Sequence, residues 1–382
     1  MRRLWLCALL LAALCLTPFP AAGEDVQAAV STQLDELDLR ALTQAARRQT
    51  LVTGEPLALL RTLASGKPLL TAAQALAWLC EQAAGTLRAS LWRLTRLLIP
   101  ALIMGLAQQL QGAFSRALVA KSCLYAGSLL ALGFLVADMA EHVALARDSV
   151  DSMSSTMQAL FPLLTTLLAA VGGTASAAFY QPAVVAAGGT MTALIQGVTL
   201  PFTVGMAVLG MVGSLCEGFR VGRLRALFKQ VASWTLGAAF TVFIGVMTVQ
   251  GLSLAAVDGV SIRTAKYAID NGIPIVGGMF ADTVDTLVGC SLLIKNAVGA
   301  LGLGLLLGVM AAPMLQTALT MFLYRATAAV LEPVCDSPLG RCIGDMADSY
   351  LLLFVIQLCV GAMFILLVAQ MLVVGNLTVM LR

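Results

Sequence analysis

Apolar residues in this chain come in long blocks separated by short polar connections, and the blocks are too long to be barrel strands. The runs 118–137 and 157–179 each predict a membrane-spanning helix, the second containing Pro162 and the pair Gly172-Gly173. The runs 232–250, 313–334 and 350–374 predict three more. The run 97–114 is interrupted by Gln108, Gln109 and Gln111, and predicts either a span or an interfacial helix. The run 182–215 exceeds one ordinary span and is punctuated by Gly188, Gly189, Pro201 and Gly205, which predicts two shorter, tilted or re-entrant helices. Such breaks mark substrate sites in some secondary transporters; a Pro-kinked structural helix is the plainer reading. Counting that run as a pair gives about eight spans.

The polar segments divide the rest. Residues 1–23 read as a secretory signal: Arg2 and Arg3, an apolar core over 4–16, then Pro18 and a small-residue exit. Residues 24–96 form the extracytoplasmic region, a set of short helices punctuated at Gly54-Glu55-Pro56 and at Ser65–Pro68. Within it Leu70, Ala73, Leu76, Cys80, Ala83, Leu87, Leu91 and Leu94 make a helical stripe, with Arg88, Arg93 and Arg96 beside it. That pattern suits a docking or interfacial helix, or a cap on the chain's own membrane domain, which occupies 97–382.

Composition agrees with the pattern: 59% of the 382 residues are hydrophobic and 11% charged, with a mean hydropathy of +0.92. Soluble domains carry about 25% charged residues, so this is an all-α polytopic integral membrane protein. A formal charge of +3 gives no reason to expect nucleic acid as a partner. The densest basic patch holds Arg220, Arg223, Arg225 and Lys229, which the positive-inside rule places in the cytoplasm as a candidate docking surface. The same rule puts Arg116, Lys121 and the C-terminus inside, and loops 138–156, 251–272 and 335–349 outside. His142 reads as a loop histidine. Of the nine cysteines, Cys335 and Cys342 alone have the spacing for a local loop closure.

Catalytic and cofactor signatures are missing from the sequence: no GxxxxGK[ST] loop, no HExxH, no paired-cysteine metal spacing and no GxSxG turn. No enzyme activity, metal or cofactor is expected. Polarity instead collects between residues 262 and 308. On a helix there, Asp282, Asp285, Gly289 and Asn296 share one face, with Lys295 displaced from it. That face either lines an aqueous path or is an amphipathic elbow at the outer interface, with the acids in water. Downstream, Gly299, Gly302, Gly304 and Gly308 are spaced for close helix approach.

The stretch NGIPIVGGMFADTVDTLVGCSLLIKNAVG (271–299), preceded by DGVSIRTAKYAID (258–270) and followed far downstream by VVGN (373–376), closely resembles the stage III sporulation protein AE family of endospore-forming bacteria. The resemblance implies a membrane core component of a secretion-like channel, or feeding tube, between mother cell and forespore, needed for late forespore development. It implies residence in the mother-cell-derived outer forespore membrane, with the N-terminal region facing the intermembrane space. Its implied partners are the other stage III A-type proteins, including a cytoplasmic ATPase, and indirectly the forespore stage II protein Q. The family brings no catalytic residues. An autonomous permease for a small solute is the alternative.

Overall fold

A computed structural model describes residues 56–64, parts of 73–99, and 117–215, 221–272, 277–332 and 338–380. Among these, every long element is helical: α1 (Pro56–Ala64), α2 (Ala117–Ala170), α3 (Thr174–Leu194), a π-helical turn (Ile195–Thr199), α4 (Leu200–Leu215), α5 (Gly222–Gly272), α6 (Gly277–Leu331) and α7 (Pro338–Met380). The described residues contain five helices long and apolar enough to cross a membrane, against the eight or so expected. They lie in α2, α3–α4, α5, α6 and α7, and that of α7 is the most apolar. The signal segment, Cys335, Arg220 and the run 97–114 apart from Ile99 fall outside the described residues.

The fall in span number has local causes. Residues 138–156 are not a loop: α2 runs unbroken for 54 residues. The segment has neither Gly nor Pro to stop a helix, and its buried residues His142, Ser149, Val150 and Met153 recur at helical spacing. The expected span 157–179 is instead cut by a reversal at Gly172-Gly173. There the Gly173 N–H donates to Leu168 O and the Gly172 N–H to Ala169 O, while Gly172 adopts φ 101°. This is the Schellman closure, which needs a left-handed residue and so favours glycine. Residues 251–272 are likewise helical, as the last turns of α5.

The run 182–215 holds one path rather than a pair of half-helices. Gly188 and Gly189 are helical within α3, and the irregularity falls later, at the π turn before Pro201. Pro201 has no N–H to offer Gly197, and its ring crowds that carbonyl; widening the preceding turn relieves the clash. The Leu200 N–H accordingly donates to Ile195 O, five residues back.

Contacts fix the helix directions. His142 and Leu160 of α2 meet Thr320 and the Gly302 position of α6, so the two run antiparallel. Tyr324 and Lys295 of α6 meet Tyr350 and Leu372 of α7, again antiparallel. Arg225 and Lys229 of α5 meet Asp345 and Asp348 of α7, so those two run parallel. The result is an up-and-down bundle with an Asp345 end and a Lys295 end. Small residues let the helices interlock: Leu372 fills the space over Gly299, Leu160 that over Gly302, and Met310 that over Gly361. α1 packs on α6 with Leu60 fully buried. Residues 80–92 are helical, with Leu87, Leu91 and Trp92 exposed.

Candidate functional site

Polar side chains inside the bundle collect at its two ends. At the Lys295 end, α6 presents Lys295 and Asn296 to the interior, the lysine only 1% exposed. Lys295 Nζ donates to Leu372 O at 3.0 Å and sits 3.5 Å from Asn376 Oδ1. It occupies a notch over Gly375, where any β-carbon would collide with the ammonium. KNAVG and VVGN, far apart in sequence, are thus partners across one helix contact. Asn296 is also buried, and Gly289 is half-buried. The side chains of Asp282 and Asp285 lie outside the described residues. The nearness of Lys295 to α7 was hidden in the sequence, because nothing in a helical wheel says which neighbour a face meets.

Also at the Lys295 end, the Asp258 carboxylate, 1% exposed, accepts the Ala175 N–H at 2.9 Å and the Ser176 N–H at 3.0 Å. It caps the first turn of α3 across a sequence gap of more than eighty residues, where Gly173 supplies no side-chain cap. The positive end of the α3 dipole and the carboxylate satisfy each other.

Near the Asp345 end lies a buried network that sequence reasoning missed. Asp138 Oδ2 accepts the Tyr324 hydroxyl at 2.6 Å and the Tyr350 hydroxyl at 2.7 Å. One turn on, His142 is fully buried, with Nδ1 2.9 Å from Asp138 O and Nε2 3.0 Å from Thr320 Oγ1. Facing a carbonyl, which can only accept, Nδ1 carries the donated proton of that contact. The ring stands edge-on to Tyr350, with centroids 4.9 Å apart. His142 is therefore a core residue joining three helices, not a loop residue. The signal available was the i, i+4 pair Asp138 and His142 within an uninterrupted helical period.

At the rim of the same end is an ion-pair cluster. Arg225 pairs with Asp345, and Asp348 accepts Lys229 Nζ at 2.9 Å and Arg325 Nη2 at 3.2 Å. This corrects the expected topology. The basic patch and the 335–349 connection cannot lie on opposite sides of the membrane, because Arg225 and Asp345 touch. The C-terminus of α7 lies at the other end, with Asp258, so the patch and the C-terminus are not on one side. Sequence alone weighted the arginines without their acidic partners, and Arg225 and Lys229 are largely neutralised within the chain; Arg223 is exposed.

Residues 55–375 match the Stage III sporulation protein AE family, which covers everything from α1 to the last turns of α7. The chain belongs to this family. It is 36% identical over 278 residues to Stage III sporulation protein AE of Bacillus subtilis (strain 168), covering 72% of this chain and 69% of the relative. No solved structure matches. A sporulation role and a helical membrane body follow from membership and fold together.

Proposed function

We propose that this chain is a membrane core component of the secretion-like channel complex between mother cell and forespore, required for late forespore development. The observation that carries the reading is the family match, which runs through all five span-length helices rather than one segment. In this reading the protein sits in the outer forespore membrane, with its N-terminal region toward the intermembrane space. It contributes no catalytic chemistry, and energy comes from the ATPase of the stage III A group. Asp282 and Asp285 face water on the path.

A sporulating host lacking its own copy tests this. The chain should restore late forespore gene expression, and Asp282→Asn with Asp285→Asn should assemble in the membrane yet fail to restore it. Full membrane accumulation of the unaltered chain without any restored expression sinks the reading. The permease alternative is favoured by one feature, a groove of about 690 Å³ between α2 and α3 beside Gly188 and Gly189. Saturable flux of one solute, without general ion leak, in vesicles holding this chain alone would select it.

A further inference from the structure

The outward face of α2 carries carboxylates at a depth where α4, α5 and α7 carry no charged residue. Exposed positions recur along it at helical spacing: Asp148, Asp151, Ser152, Ser155, Gln158 and Thr166. From Asp148 to Thr166 the stripe is about 27 Å long, close to the ~30 Å thickness of a bilayer core. The inward face fixes its depth. Met153, between Asp151 and Ser155, points its sulfur at Gly361 of α7, inside a stretch (349–381) with no charged residue. At the matching depth on α5, Val242 is 63% exposed and Ile244 is exposed too, an ordinary lipid-facing surface.

Lipid suits the α5 face and not the α2 face, since each carboxylate at bilayer depth costs roughly 2.5–3.5 kcal/mol on insertion scales. Asp151 accepts a hydrogen bond from Gln196 Nε2 at 2.6 Å, which answers part of that cost on one residue only. Beside the stripe runs the groove between α2 and α3, whose wall includes Ser154, Thr165 and Thr174. A dry twofold contact centred on α2 would bring like carboxylates together, and Arg147 next to them leaves the face net acidic. Water is the medium this face fits, yet a single chain carries the stripe on its outside and cannot wall that water off from lipid.

We propose that copies of this chain assemble side by side with α2 turned inward, so that the 148–166 stripe lines a shared water-filled path across the membrane. Repeated around the path, Asp148 and Asp151 form acidic rings that favour cations over anions. The inference extends the channel reading and rests on it for what the path serves, not for the path itself.

The test uses the full chain in membranes of a host that makes no sporulation proteins, comparing Ser152→Cys with Val242→Cys over the native-cysteine background. A membrane-impermeant methanethiosulfonate should modify Ser152→Cys at least about tenfold faster, as expected for water against lipid. Ser155→Cys repeats the measurement one turn away should Ser152→Cys not accumulate. Particles extracted in lipid nanodiscs should have the mass of several chains. Slow modification at both positions overturns the proposal, and means a dry occupant, such as residues 97–116, covers the face. Fast modification in a particle of one chain's mass overturns it as well. If both readouts are positive and forespore complementation still fails, only the channel-complex reading falls.

Discussion

Lys295 Nζ donates to the backbone carbonyl of Leu372 at 3.0 Å, in a notch that exists because residue 375 is glycine. A β-carbon at 375 would lie 1.9 Å from that nitrogen, so Gly375→Ala must drive the ammonium from its site. Among the described residues, the amine's other hydrogen-bond partner is Asn376 Oδ1. Gly375→Ala should lower the thermal unfolding midpoint in detergent, while Lys295→Ala in the same chain should recover part of the loss. The double-mutant cycle should return a coupling of about 1–3 kcal/mol. A coupling of zero would separate the two motifs.

Asp138 supports a second prediction. Tyr324→Phe and Tyr350→Phe each remove one donor from the same carboxylate oxygen and leave the ring packing in place. Hydrogen bonds to charged groups are worth about 1.5–3 kcal/mol, so each variant should lose that order of stability. The pair should cost more than the sum, since either tyrosine alone still solvates the carboxylate. Additive losses would show that the carboxylate is stabilised elsewhere.

These two sites differ in how far the sequence disclosed them. KNAVG and VVGN stood out as motifs, and the helical membrane body was legible from the apolar blocks. What was not legible was pairing. Asp138 lies at the border of an apolar block and a polar run, so hydropathy reads it as a loop boundary; the tertiary neighbours Tyr324 and Tyr350 make it a partly buried acceptor joining three helices. The same averaging turned the amphipathic segment 138–156 into a connection, because burial on one face and exposure on the other sum to mild polarity. Conversely, Gly172-Gly173 inside an apolar block carried a chain reversal that hydropathy could not register.

The contact between Arg225 and Asp345 predicts membrane sidedness. Arg223 and Arg341 are both exposed near this cluster. Cysteines placed at either should react with an impermeant thiol reagent from the same side of sealed vesicles, and a C-terminal epitope should be reached from the opposite side. Labelling of the two positions from opposite sides would refute the bundle direction. Neutralising the cluster is a weaker lever: Asp348→Asn removes an acid that is about one-third exposed, so it should cost under about 1 kcal/mol and shrink further with salt.

Asp258 should prove more costly to lose than any member of that rim. It opens the DGVSIRTAKYAID stretch, and its two oxygens accept the Ala175 and Ser176 N–H groups at the start of α3. Asp258→Ala leaves those donors buried without an acceptor, with an expected loss of about 2 kcal/mol or more, since an unmet buried donor costs about 1–3 kcal/mol and a helix cap about 1. Asp258→Asn keeps one acceptor oxygen but surrenders the charge facing the helix dipole, so it should fall between the two. Because the cap ties α5 to the α2–α3 reversal, limited proteolysis should also show faster cleavage near Gly172-Gly173 in Asp258→Ala than in Asp258→Asn. Equal stability and equal cleavage in all three proteins would mean the α3 N-terminus is held by packing alone.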